Sequence, residues 1–174
     1  MSREEGIAED QWSYEIAGQV IKLKKNYLSL SGYRLPTEAE MECATRAGAV
    51  TARYFGETDD LLPKYEWYDK NSEERTWPVG SKKPNDLGLF DVQGNMVTWC
   101  QESYKAYPQG KEADDDTEDG PEVVSTVGRL LRGGSFLHSA VYVRSAFRDS
   151  YAPTLRVDNV GVRPARTMTP WAVQ

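Results

Sequence analysis

At 174 residues, with 27 acidic against 21 basic side chains and a formal charge of −6, the chain is sized for one domain, 1–174, with a real core. The acidic balance argues against generic phosphate-backbone binding and so against nucleic acid as a partner. No apolar run of about eighteen residues and no charged-then-apolar leader is visible, so no membrane span is expected and a reducing cytoplasm is the default compartment.

Ten Tyr, five Trp, fourteen Gly and nine Pro around one convincing helix point to a loop-rich α+β domain built on short elements. Residues 1–15 are weakly patterned. EEGIAEDQW reads as a helix end entering a loop, and VIKLKKNYLSL (20–30) is ambiguous between strand and connection. In RLPTEAEMECATRAGAV (34–50), Thr37 and Glu40 stand in a capping-box arrangement, which predicts a helix starting after Thr37. Ala39, Cys43 and Ala47 form its expected buried stripe, flanked by Met41 and Ala44, with Gly48 as a left-handed stop.

From 51 to 83 the chain reads as loops pinned by Tyr54, Phe55, Tyr65, Trp67, Tyr68 and Trp77. PND and GLFDV predict a turn entering a short strand, and QGN a second turn leading into VTWC. An acidic loop at 108–122 lacks the Gly-punctuated alternation of a dedicated calcium loop. RLLRGGSF, AVYVRSAF and VGVRPAR are expected as three strands, the first broken by paired glycines, with RDSYAPTLRVDN turn-rich between the last two. Cys43 and Cys100 lack the close spacing of a zinc or redox pair and are expected as core thiols.

Three blocks in order, YRLPTEAEMECATRAG, PNDLGLFDVQGNMVTWC, and LRGGSF with VRSAFR and VGVRPAR, resemble the formylglycine-generating enzyme (sulfatase-modifying factor) family. The resemblance implies a variant of the C-type lectin fold. It covers the later part of the family domain, so the N-terminal part is expected to be lacking and the terminal VGVRPAR strand to have an unpaired edge, open to pairing with another chain. The family's enzymes oxidise a substrate cysteine through two copper-binding cysteines after the RGGS motif. Here those positions are His138 and Val143, which cannot act as a pair of thiolates, so formylglycine-generating oxidase activity is not expected and no catalytic residue is assigned. The resemblance also implies a structural calcium ion at Asp91, Gly94, Met96 and Thr98, weakened because Thr98 stands where a Glu is usual; no other cofactor is expected.

Residues 132–167 contain no Lys, Gln, Glu, Met or Trp, although those types supply 39 of the 174 residues and a window this long would carry about eight of them. A subset of the resembled family serves as variable proteins of diversity-generating retroelements, whose reverse transcriptase randomises template adenines. Asn codons of the form AAY, altered at their first two bases, cannot yield any of those five types. In such a variable region at 132–167 the fixed frame would be Arg132, Gly133, Gly134, Ser135, Val143, Arg144, Ser145, Ala146, Arg148, Pro153, Arg156, Gly161 and Arg163. Its ligand-binding positions would be Leu137, His138, Ser139, Tyr142, Phe147, Asp149, Ser150, Tyr151, Thr154, Leu155, Val157 and Asp158. The plainer alternative is a set of ordinary strand and loop residues, half of them in the core.

The leading expectation is therefore a non-catalytic ligand-binding module whose ligand is a protein more readily than a glycan. A catalytically degenerate or partner-dependent oxidoreductase domain, of the formylglycine-generating enzyme or sulfoxide synthase type, is the alternative. A structural domain that assembles through its terminal strand is a third.

Overall fold

The computed structural model describes residues 1–18, 20–107 and 127–168, so the acidic loop at 108–122 lies outside the described residues. A hairpin of β1 (Tyr14–Ala17) and β2 (Val20–Leu23) precedes helix α1 (Glu38–Arg46) and the one-turn helix α2 (Leu62–Tyr65). Four strands follow: β3 (Val97–Ser103), β4 (Arg129–Arg132), β5 (Arg148–Tyr151) and β6 (Val160–Gly161). They form one sheet in the order β5-β4-β3-β6, antiparallel except for the parallel β3–β6 pair. Short elements joined by long loops make this an α+β fold, as the composition implies.

The capping box starts α1: Thr37 Oγ1 accepts from the Glu40 N–H at 3.1 Å, and Glu40 Oε2 accepts from the Thr37 N–H at 2.9 Å. Ala47 (φ 48°) and Gly48 (φ 89°) are both left-handed and end it. Its buried face differs from the expected one. Met41 and Thr45 are buried, whereas Ala39 and Cys43 are exposed. The helix is rotated because Glu38 and Glu42, neighbours of Met41 on the same side, meet arginines of the sheet: Glu38 pairs with Arg148 and Glu42 with the buried Arg132.

Met41, Cys100 and Leu130 form a core cluster between α1, β3 and β4. A second cluster, Leu62, Tyr68, Ala140 and Val143 with Phe55 against it, underlies the chain after β4. Cys100 is therefore the core thiol expected, and Cys43 is not.

Several expected elements move. EEGIAEDQW contains only a 3-10 turn at Glu9–Gln11, the ambiguous 20–30 segment supplies β2, and GLFDV is not a strand. AVYVRSAF is a run of turns rather than a strand, since its N–H groups bond locally, Tyr142 to the Ser139 carbonyl and Phe147 to that of Arg144. The strand begins where that segment ends, so the first four residues of RDSYAPTLRVDN form β5. VGVRPAR finds partners inside the chain: Val160 and Gly161 pair with Val97 and Thr98, and Arg34 and Ala165 exchange backbone hydrogen bonds of 2.9 and 2.8 Å. The unpaired terminal segment expected from the resemblance is thus corrected, although β6 remains an edge strand. Among the described residues no helix is long and apolar enough to cross a membrane.

Candidate functional site

Residues 132–147 leave β4 through two glycines that other side chains could not replace. Gly133 has φ 77°, and a Cβ there would lie 2.8 Å from the Val92 carbonyl oxygen. At Gly134 it would lie 2.6 Å from the Gln93 oxygen. The turns that follow are tied down from outside the segment. Buried Arg53 donates to the carbonyls of Val143 (2.9 Å) and Ala140 (2.7 Å), Ser72 Oγ donates to Phe136 O, and Gln93 Nε2 donates to Ser145 Oγ. Arg132, itself buried, donates to the Phe147 carbonyl and pairs with Glu42.

On this support none of the twelve candidate positions is buried: Leu137, Tyr142, Thr154, Leu155, Val157 and Asp158 are exposed, and His138, Ser139, Phe147, Asp149, Ser150 and Tyr151 are half-buried. Of the residues beside and between the first of them, Phe136, Ala140, Val143 and Ser145 are buried, while Val141, Arg144 and Ala146 are exposed. The structure brings His138, Tyr142 and Phe147 into mutual ring contact, with centroids 5.3 to 5.7 Å apart. Burial lowers the His138 imidazole below its ordinary pKa, opposed by the nearby charge of Asp149, and its buried Nδ1 has no hydrogen-bond partner among the described residues. Alternation along β5 sets Asp149 and Tyr151 on one face, and Arg148, which reaches Glu38, with Ser150 on the other. Thr154, Leu155, Val157 and Asp158 occupy a separate exposed turn, and among the described residues no hydrogen bond or ring contact joins them to the cluster.

Two kinds of residue carry no clear mark in the sequence. Arg53 lies some ninety positions from the carbonyls it holds, and no local pattern singles it out. Val141 is 57% exposed beside Tyr142, and the burial of its neighbours Ala140 and Val143 is the signal that places it on the surface. The frame is also less uniform than expected. Arg132, Arg148 and Arg163 anchor to carboxylates or carbonyls, but Arg144 and Arg156 are exposed.

Neither family chemistry has its usual donors here. Val143 is fully buried in the apolar cluster, and the two cysteines are free, Cys43 on the exposed side of α1 and Cys100 in β3 with its thiol pKa pushed up by burial. For calcium, Asp91 Oδ2 accepts from the Gly80 N–H, Asp91 Oδ1 is buried and unpartnered, and the Gly94 carbonyl accepts from the Met96 N–H. Thr98, buried in β3, adds a neutral hydroxyl. One carboxylate oxygen with partly engaged neutral donors falls short of the six to eight oxygens calcium takes, so these four residues do not fit the ion as they stand.

A family model described as "Sulfatase-modifying factor enzyme 1-like domain" matches residues 11–168. The chain belongs to this family. It is 34% identical over 156 residues to the formylglycine-generating enzyme of Streptomyces coelicolor, covering 80% of this chain and 48% of that protein. Among solved structures it is similar to Treponema denticola variable protein 1, with a TM-score of 0.72, 33% identity, and 85% of this chain and 51% of that one covered. PvdO from Pseudomonas aeruginosa matches at a TM-score of 0.66 and 28% identity, over 83% and 58% of the two chains. The chain spans about half the length of the curated relatives it matches. The fold is the C-type-lectin-like one of this family, of the kind used as variable proteins of diversity-generating retroelements.

Proposed function

We propose that this domain is a non-catalytic binding module whose accessible positions between 137 and 158, in the aromatic turn and in the separate turn at 154–158, are diversified by a retroelement and recognise a protein ligand. The observation that carries the reading is the separation of roles along the chain: none of the twelve candidate positions is buried, while Gly133, Gly134, Ser135, Val143 and Ser145 beneath them are. A surface of this kind can change its side chains without touching the packing that holds it. Its rings supply rigid anchors, and Ser139, Asp149 and Asp158 supply adaptable hydrogen-bonding groups. Similarity to a variable protein of the same fold supports this reading. His138 and Val143, at the positions of the family's catalytic cysteines, support it from the chemical side.

The test is the DNA around the gene. A near-copy of the codons for 132–167, with adenines wherever the twelve positions differ, beside a reverse transcriptase gene is the expected finding. A template whose mismatches fall on other bases as often as on adenine overturns the retroelement reading.

A further inference from the structure

Resting on that reading, we propose that Arg144 is a constant ligand contact, and that the surface around Tyr142 and Phe147 selects partners presenting a carboxylate beside an apolar side chain. Four neighbouring arginines are already engaged within the chain. Arg132 and Arg148 pair with α1, Arg163 holds the Phe90 carbonyl, and Arg166 meets Glu5. Arg144 differs. It is exposed, and its guanidinium makes no hydrogen bond or ion pair among the described residues.

Its backbone lies inside the aromatic turn, donating to the Tyr142 carbonyl and accepting from the Phe147 N–H, both at 3.1 Å. A partner that covers Tyr142 (47% exposed), Val141 and Phe147 comes up against the Arg144 backbone, within reach of its long exposed side chain. Removing a guanidinium from water with no counter-charge is strongly unfavourable, and the charge can be met bidentately by a carboxylate. The variable rings then set which apolar side chain fits, while Arg144 sets the sign of the charge next to it.

The experiment pans a random dodecapeptide display library on the purified full chain and, in parallel, on its Arg144→Gln and Arg144→Glu variants. Thermal melts of the variants should match the parent, since the guanidinium makes no hydrogen bond or ion pair among the described residues. The expected result is enrichment of peptides pairing an aromatic or Leu with Asp or Glu, loss of the acidic preference in Arg144→Gln, and its inversion to Lys or Arg in Arg144→Glu. Individual acidic peptides should bind Arg144→Gln about tenfold more weakly. Apolar enrichment without acidic preference on the parent chain overturns this inference and leaves the binding module standing. No enrichment over blank support overturns both.

Discussion

Arg53 and Val143 are 90 positions apart in the chain, yet the buried Arg53 guanidinium donates from Nε to the Val143 carbonyl at 2.9 Å. The same side chain donates from Nη2 to the Ala140 carbonyl and from Nη1 to that of Glu57, and pairs with Asp59. One guanidinium thus satisfies two carbonyls of the turn that presents His138 and Tyr142. Replacing Arg53 with Met takes the Arg53 donor from the Val143 carbonyl, leaves the Ala140 carbonyl only the Val143 N–H and strips Asp59 of its partner, at a cost of about 3 kcal/mol. Urea unfolding should show that loss, and amide exchange should show faster opening of 140–147 than of β3. Exchange unchanged at 140–147 would mean that the turn is held by other contacts.

The glycine pair sets a steric limit. Gly134→Ala places a methyl 2.6 Å from the Gln93 oxygen and 3.0 Å from Val143 Cγ2, so backbone must shift. A loss of about 3 kcal/mol or more is expected, read as insoluble expression or a melting point lowered by many degrees. Gly48→Ala, left-handed but with nothing within 4 Å of the added Cβ, should cost only about 1 kcal/mol.

The accessible candidate positions and the residues that support them should respond differently to substitution. Tyr142→Ser, Leu155→Asn and Asp158→Ala each remove an exposed side chain and should shift stability by less than about 1 kcal/mol. Val143→Ala removes two buried methyl groups' worth of packing from the Leu62–Tyr68–Ala140 cluster and should cost about 2 kcal/mol. Chemical denaturation of the four variants checks this, and equal losses at all four positions would contradict the division between surface and frame.

Glu66 makes stability pH-dependent. It is fully buried, accepts from the Gln93 N–H and the Tyr54 hydroxyl at 3.0 Å each, and burial pushes its pKa up to about 8. The folded state thus holds its proton where the unfolded chain has released it. The sign follows: the contribution is whole below the ordinary carboxylate range and is lost progressively as pH rises towards 8. Glu66→Gln keeps an oxygen for both donors and removes the titration. Its stability relative to the parent should therefore improve between pH 5 and pH 8 in urea titrations, on the order of a few kcal/mol at most. A constant difference over that range would show that Glu66 is ionised in the folded protein.

Local chemistry made part of this protein legible in advance. The capping box at Thr37 and Glu40, the broken strand at Arg132–Gly134 and the missing residue types at 132–167 each depend on neighbours in the chain or on composition, and the first two reappear in the fold. The family resemblance, with codon logic in agreement, picked out the twelve candidate positions, and none of them is buried. What sequence periodicity misplaced was whatever depends on distant partners. Alternation in AVYVRSAF is that of a strand, but its N–H groups bond locally and Arg53 holds the Ala140 and Val143 carbonyls from outside, so the segment folds as turns.

The buried face of α1 was misjudged for the same reason. An apolar stripe at Ala39, Cys43 and Ala47 offers little area, and the paired charges Glu38–Arg148 and Glu42–Arg132 rotate the helix towards Met41 and Thr45. Sequence by itself determined the local features, the capping box at Thr37 and Glu40 and the glycine break after Arg132, because each depends only on neighbours in the chain. Tertiary structure alone decided which of the candidate positions meet. Bringing His138, Tyr142 and Phe147 into ring contact requires hydrogen bonds from Arg53 and Gln93, placed by parts of the fold that carry no trace of the site in their own sequence.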